Sequence, residues 1–188
     1  MARWQPDARE RLRQAALELF AEQGFAATTV PAITARAGLT TRTFFRHFAD
    51  KREVLFAGEA ELPAYAERLI AEAPAGIGPA ALVLDGLRAV ARAQFEGRKE
   101  EIRQWRAIVA TDAGLRERGL QKRAALAAAI GDGFRARGLD ATRAALLAET
   151  AVTLMYVSVA AWLEAGDDRK LDAIVESTFA TLRATLDT

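Results

Sequence analysis

Residues 40–48 carry arginine and threonine at positions that would share one face of a short helix. Arg42 and Arg46 are four residues apart, with Thr41 and Thr43 beside them, and residues three or four apart are neighbours on a helix surface. In the major groove of DNA, arginine can bond guanine edges and threonine methyls can contact thymine methyls. A short helix fits that groove. The segment therefore predicts a base-reading helix.

Two phenylalanines determine which side of this helix faces inward. Phe44 and Phe48 are four residues apart, so their rings point the same way. Thr40 precedes the helix and can act as its N-cap. The helix is thus predicted to have an apolar inner side and a cationic, hydroxyl-bearing outer side.

A preceding helix is predicted from Thr29 to a hinge at Ala37-Gly38-Leu39. Thr29 can act as its N-cap, and Pro31 falls in its first turn, where the missing backbone donor costs little. Gly38 can adopt the left-handed conformation that stops a helix. The two helices and their hinge have the layout of a DNA-reading helix-turn-helix.

The next helix is predicted to begin at Lys51. Asp50 and Glu53 have the spacing of a capping box, with Asp in place of Ser or Thr. Lys51 and Arg52 lie in the first turn, where positive charge opposes the helix dipole. A DNA phosphate would satisfy both these charges and the free backbone N–H groups.

Further residues between about Leu12 and Leu55 extend the pattern. They are Ala16, Leu19-Phe20, Gly24-Phe25, Thr29-Val30, Ile33, Ala37-Gly38, Thr43-Phe44-Phe45, His47-Phe48 and Lys51. In type and spacing, without gaps, they resemble the TetR family of bacterial one-component repressors. The chain departs from the family at three positions: Phe45 replaces a usual Tyr, Arg42 a usual small residue, and Thr34 a common Ala.

The resemblance implies an all-α fold with two domains. A three-helix DNA-binding domain with the helix-turn-helix is expected at 1–48, and a larger helical ligand-binding and dimerisation domain at 49–188. The expected DNA contacts are Thr29, Thr40, Thr41, Arg42, Thr43, Phe45, Arg46, His47 and Lys51. Arg3, ahead of the first helix, could reach a minor groove.

Charge and composition agree with an intracellular DNA-binding protein. The net charge is +1, but residues 1–52 hold nine Lys/Arg against five Asp/Glu, so positive charge is concentrated where DNA would bind. There is no cysteine, which fits a reducing cytoplasm. No secretory pattern is present, and the apolar run 151–163 is shorter than a membrane span. A cytoplasmic protein without a membrane segment is expected.

Helical periodicity continues through the rest of the chain. A helix is predicted from Lys51 toward Ile70, with a bend or break at Pro63, and a linker follows at 73–79. Further helices are predicted at about 79–97, 99–110, 113–137, 140–164 and 168–186, giving about nine in all.

The last two predicted helices are too apolar for a lone surface. Apolar residues spread around the 140–164 helix: Leu146, Leu147, Val152, Leu154, Met155, Val157, Val159 and Leu163. A helix that is apolar on most sides must be buried on most sides. A second copy of the chain could cover one side through a four-helix interface, and the resemblance implies the same homodimer. The alternative is a central helix buried within a monomer.

Large side chains in the C-terminal domain are candidates for a ligand cavity. They are Phe95, Trp105, Ile108, Met155, Tyr156 and Trp162. Single polar groups on Tyr and Trp in apolar walls suit an apolar or aromatic effector. The sequence also resembles that of a TetR subgroup that senses acyl-CoA. Plain core packing is the alternative for each residue.

These observations favour a dimeric transcriptional regulator, a repressor of a palindromic operator released when a small molecule shifts the helix that begins at Lys51. An all-helical sensor or adaptor that does not bind DNA is the second hypothesis. An enzyme with an internal cavity ranks last, because no nucleophile–base or metal constellation is found. His47, the only histidine, has no Cys or second His to share a metal, so a phosphate contact or a helix cap is expected.

Overall fold

The computed structural model describes residues 7–59, 61–166 and 169–187. Within these ranges the chain is helical and has no β-strand. The α-helices are α1 (Ala8–Gln23), α2 (Val30–Ala37), α3 (Thr41–His47), α4 (Lys51–Leu55), α5 (Leu62–Glu72), α6 (Pro79–Val90), α7 (Lys99–Thr111), α8 (Ala113–Ala136), α9 (Ala141–Glu164) and α10 (Leu171–Leu186). The predicted all-α fold is confirmed.

Side-chain caps start the first four helices where the sequence places them. The side chains of Asp7, Thr29, Thr40 and Asp50 each accept a backbone N–H three residues ahead. These bonds satisfy donors that the first helical turn leaves without an internal partner. Because the bonds are local, four short segments become helical at fixed boundaries.

The hinge of the helix-turn-helix is a left-handed glycine. Gly38 has φ 64° and ψ 37°, which few residues with a Cβ adopt. Its N–H bonds to Ala35 O at 3.1 Å, and the Leu39 N–H bonds to Thr34 O at 2.8 Å. This is a Schellman motif. Arg11 of α1 also donates to Ala37 O at 2.5 Å, so the hinge is held against the first helix.

Two predicted helices differ from the observed ones. The helix expected from Lys51 to Ile70 ends at Leu55, and α5 begins at Leu62 with Pro63 in its first turn. Proline is well tolerated there because that N–H has no helical partner. The helix expected at 79–97 changes to a π-helical turn at Ala91–Phe95, a type of insertion that often marks functional positions.

The chain divides into two compact units. Unit 1 is Met1–Ala60 with Arg103–Gln121, and unit 2 is Glu61–Ile102 with Lys122–Thr188. Unit 1 continues past Phe48 and takes in a second, distant segment, and the functional domain boundary at Phe48 stays a prediction. Helices α7 and α8 each have residues in both units.

Each unit has its own apolar core. Unit 1 is built on fully buried residues such as Leu12 of α1, Ile33 of α2, Phe44 of α3 and Phe56, which follows α4. Unit 2 buries residues of α5, α6, α8, α9 and α10, among them Phe134 and Val175. Burial of apolar surface contributes about 25 cal/mol per Å² and is the main term that stabilises the packing of such helices.

Helix α9 is strongly apolar but incompletely covered. Judged by length and composition alone, α9 could cross a membrane. Core helices of soluble proteins also meet this criterion. Of the 18 residues in the most apolar stretch of α9, 39% are buried. Leu146, Tyr156 and Val157 remain 64%, 48% and 46% exposed. Large apolar side chains left in water on one helix commonly mark a surface for another protein.

Candidate nucleic-acid interface

Helix α3 is fixed in unit 1 by its inner face. Phe44 is fully buried and Phe48 nearly so, and their ring centroids lie 5.5 Å apart. Thr40 caps the helix by accepting the Thr43 N–H at 3.2 Å. A helix of seven residues has few internal hydrogen bonds, so these buried rings orient it. The inward direction predicted for Phe44 and Phe48 is confirmed.

The opposite face of α3 is open. Thr41, Arg42, Phe45 and Arg46 are exposed, Phe45 by 59%. Arg42 forms no hydrogen bond or ion pair with any described residue. Arg46 Nη2 lies 3.5 Å from His47 Nε2. The two guanidinium groups on this face are therefore available to an external acceptor.

The remaining predicted threonines and His47 have mixed positions. Thr29 and Thr40 are exposed, while Thr43 and His47 are half-buried. The Thr29 hydroxyl accepts the Ala32 N–H at 3.3 Å, and its own hydrogen remains to donate. The Thr40 and Thr43 hydroxyls lie 3.0 Å apart. Arg3 lies outside the described residues.

Several other cations of unit 1 already have partners within that unit. Arg36 is paired with Glu22 at 2.7 Å and Glu18 at 3.4 Å, and these carboxylates raise the pKa of the guanidinium. Arg13 is paired with Glu10 at 2.7 Å. The count of nine basic residues did not show the Arg36 pairs, because they join two different helices. Arg42 and Arg46 of α3 are not among these paired cations.

Lys51 already has acceptors within unit 1, while its predicted contact with a DNA phosphate stays a prediction. Its ammonium donates to Phe25 O at 2.6 Å and Thr28 O at 2.7 Å, and lies 4.1 Å from the centre of the Phe25 ring. Burial lowers the pKa of this ammonium, while the charge of Asp112 opposes the shift. The Lys51 charge therefore has internal acceptors and does not need a DNA phosphate, and it ties α4 to the α1–α2 loop.

We expect Lys51→Met to lower the free energy of unfolding of unit 1 by about 3 kcal/mol, since hydrogen bonds to a charged group contribute about 1.5–3 kcal/mol each. Hydrogen exchange of residues 24–30 measures this loss of stability. The control is Arg42→Met, which removes an exposed cation and should change the exchange little. The opposite result would be unchanged exchange in Lys51→Met, with the slope of log affinity for DNA against log salt concentration reduced by about one per subunit. That result would identify Lys51 as a phosphate ligand.

Helix α4 is also held by the distant segment of unit 1. Trp105 Nε1 donates to Leu55 O at 2.8 Å, and the Trp105 ring meets Phe56 edge-on at 5.7 Å. Arg118 pairs with Glu53 at 2.5 Å, which raises the pKa of the guanidinium. Residues from α7 and α8 therefore fix the helix that follows α3.

The six predicted ligand-binding residues are divided between the two units. Ile108 lies in the core of unit 1 and Trp105 packs against that core, while their predicted contact with a ligand stays a prediction. Tyr156 lies on the surface of unit 2, where the Arg123 guanidinium stacks 4.2 Å from its ring centre.

The other three predicted ligand residues belong to unit 2. Phe95, in the π-helical turn, meets Trp162 edge-on at 6.4 Å. Trp162 is buried and its Nε1 donates to Arg169 O at 3.0 Å. Met155 is partly buried against the same core. The Trp162 N–H thus already has a partner, and this cluster is largely core packing.

Known proteins share both the N-terminal sequence and the fold. Residues 12–57 match the family described as bacterial regulatory proteins, tetR family. The HTH-type transcriptional regulator TcmR of Streptomyces glaucescens is 35% identical over 94 residues, covering 50% of this chain and 42% of TcmR. The HTH-type transcriptional repressor Rv3405c of Mycobacterium tuberculosis is 42% identical over 85 residues, 45% of each chain. These alignments span less than half of the relatives' length.

The fold agrees over nearly the whole chain with solved regulators. FadR of Thermus thermophilus, a TetR-family transcriptional repressor solved in complex with lauroyl-CoA, has a TM-score of 0.53 at 24% identity. The match covers 93% of this chain and 92% of FadR. Residues 12–57 thus match the tetR family of bacterial regulatory proteins, and the fold of the chain is similar to that of solved regulators of that family.

Proposed function

We propose that this chain is a cytoplasmic transcriptional repressor that binds a palindromic DNA operator as a homodimer. The observation that carries the proposal is the outer face of α3, where Arg42 and Arg46 are exposed and Phe45 stands between them. Buried phenylalanines hold this face outward, so it is already arranged for a major groove. The proposal contains no catalytic step, in keeping with a family of regulators.

The dimer proposal rests on α9 and α10. Exposed residues of α9 recur on one face, including Leu146, Thr153, Tyr156 and Val157. Exposed residues of α10 are mostly small, as Ala173, Ser177, Ala180, Thr181 and Ala184 show. Large side chains on one helix and small ones on the next suit interdigitation with a second copy. Two α3 helices in one assembly would then read two half-sites.

The effector proposal is an apolar or acyl-CoA-like molecule bound in unit 2. Support comes from FadR, a structural relative that binds lauroyl-CoA, and from the apolar composition of the unit 2 core. Helices α7 and α8 have residues in both units, so displacing them would act on α4 through Trp105 and Arg118. Ligand and DNA would then favour different states of one element.

DNA binding is tested with the segment upstream of the protein's own gene, by fluorescence anisotropy at several salt concentrations. We expect affinity to fall steeply with salt. Arg42→Ala and Arg46→Ala should each weaken binding about 10- to 100-fold, because a bidentate arginine–base contact contributes about 1–3 kcal/mol. Arg143→Ala, which removes an exposed arginine of unit 2, is the matched control.

An α-helical sensor or adaptor that does not bind DNA is the competing function. It predicts no specific DNA complex with any genomic fragment, and no effect of the two α3 arginines on binding to a partner. If the Arg42→Ala and Arg46→Ala variants bound DNA with wild-type affinity, α3 would not be the helix that reads the bases, even if the chain bound DNA through another surface.

A further inference from the structure

The outer face of α3 presents two different chemical groups in a fixed order. Arg42 is the second residue of the helix, and Phe45 follows one turn later on the same face. In a helix-turn-helix, residues near the N-terminus of the reading helix approach the base edges. The order of groups along α3 should therefore correspond to an order of bases.

Arg42 has the chemistry to read guanine. Its guanidinium is exposed and unpaired among the described residues, and α3 itself contains no acidic residue. Arg36, by contrast, is neutralised by two glutamates. A planar fork of donors fits the O6 and N7 acceptors of guanine in the major groove. No internal partner has to be given up when this contact forms.

Phe45 has the chemistry to read a methyl group. Its side chain is 59% exposed and has no polar atom, so it cannot hydrogen-bond a phosphate or a base edge. Its ring meets the buried Phe44 ring edge-on, with centroids 5.3 Å apart, which leaves much of the ring facing outward. The apolar group that a base pair offers in the major groove is the C5 methyl of thymine.

We propose that each α3 reads a guanine through Arg42 and a thymine methyl through Phe45. Three helical residues advance about 4.5 Å, and successive bases on a strand are about 3.4 Å apart, so the two bases are neighbours or next neighbours in each half-site. This inference rests on the proposed function, since it describes what the DNA-binding face recognises.

The test uses operators with single-atom changes. Once a bound upstream fragment is footprinted, duplexes are made with uracil at each thymine in turn, and with 7-deazaguanine at each guanine in turn. We expect one uracil position per half-site to weaken wild-type binding about fourfold, the effect of losing one buried methyl. One 7-deazaguanine position should weaken binding at least as much.

Variants assign each contact to its residue. Phe45→Ala should bind the thymine and uracil duplexes equally, and Arg42→Ala should lose its sensitivity to the single 7-deazaguanine. Thr41→Ser, which removes a neighbouring methyl but keeps the hydroxyl, tests the other candidate for the thymine methyl and should keep the uracil effect. Merely structural damage would weaken all duplexes alike and leave both sensitivities intact.

Other outcomes overturn the proposal. Tight binding without a uracil effect at any position would mean that the Phe45 ring contacts the DNA backbone. A uracil effect that persists in Phe45→Ala, or disappears in Thr41→Ser, would assign the methyl to another residue. A 7-deazaguanine effect that persists in Arg42→Ala would do the same for guanine. Failure of the wild type to bind any fragment would overturn the proposed function itself.

Discussion

The double substitution Leu146→Asp with Val157→Asp is expected to convert the protein to a monomer and to weaken operator binding at least about 100-fold. Both side chains are exposed in the single chain, so aspartate should be tolerated there. In the proposed dimer the same positions would be buried, and each unpaired carboxylate would oppose association. Linking two reading helices raises affinity about 10²- to 10⁴-fold, and a monomer loses that gain.

The measurements are sedimentation for the oligomeric state, anisotropy for operator binding and circular dichroism for the fold. Leu120→Asp is the control, because Leu120 is equally exposed but belongs to unit 1, and it should stay dimeric. A dimer that survives both aspartates would place the interface elsewhere. A folded monomer with wild-type operator affinity would contradict the need for paired half-sites.

Features determined by local interactions could be predicted from the sequence. Thr29, Thr40 and Asp50 each form their cap with a residue three positions ahead, and a spacing of three is visible in the chain itself. The same holds for Gly38, whose position after an apolar helix requires a left-handed turn. Helix starts and the hinge therefore follow from neighbours in sequence.

Features that depend on distant residues could not be predicted in this way. The acceptors of Lys51 lie 26 and 23 residues away, so the sequence showed an unsatisfied cation at a helix start. The Leu55 carbonyl that Trp105 binds is 50 residues distant. An aromatic residue on one face of an amphipathic helix has the same periodicity whether it lines a cavity or packs in another unit.

The π-helical turn at Ala91–Phe95 could not be predicted from the sequence either. Its residues, ARAQF, are compatible with an ordinary α-helix by propensity. A π turn is selected by the packing of the elements around it, and no local signal in the chain specifies that packing. The sequence therefore predicts that residues near 95 are helical without predicting the direction of the Phe95 side chain.

Trp105→Ala is expected to lower the free energy of unfolding of unit 1 by about 2 kcal/mol, less than for a fully buried aromatic residue, because Trp105 is partly buried. The change removes the ring that meets Phe56 and leaves Leu55 O without its donor. Hydrogen exchange of residues 51–56 measures the effect. Trp105→Phe, which keeps a ring but not the N–H, should cost about 1 kcal/mol, and the exposed Leu120→Ala less than about 0.5 kcal/mol.

The same variant decides between two roles for Trp105. If the side chain is a structural support of α4, operator affinity should fall together with the protection of α4, and binding of lauroyl-CoA to unit 2 should not change. Faster exchange in residues 51–56 would then show that α7 controls the helix that follows the reading head. Unchanged exchange with weakened lauroyl-CoA binding would return Trp105 to the effector site that its sequence position predicts. Because α7 has residues in both units, the first result would support α7 as the element that couples the proposed effector site to α4.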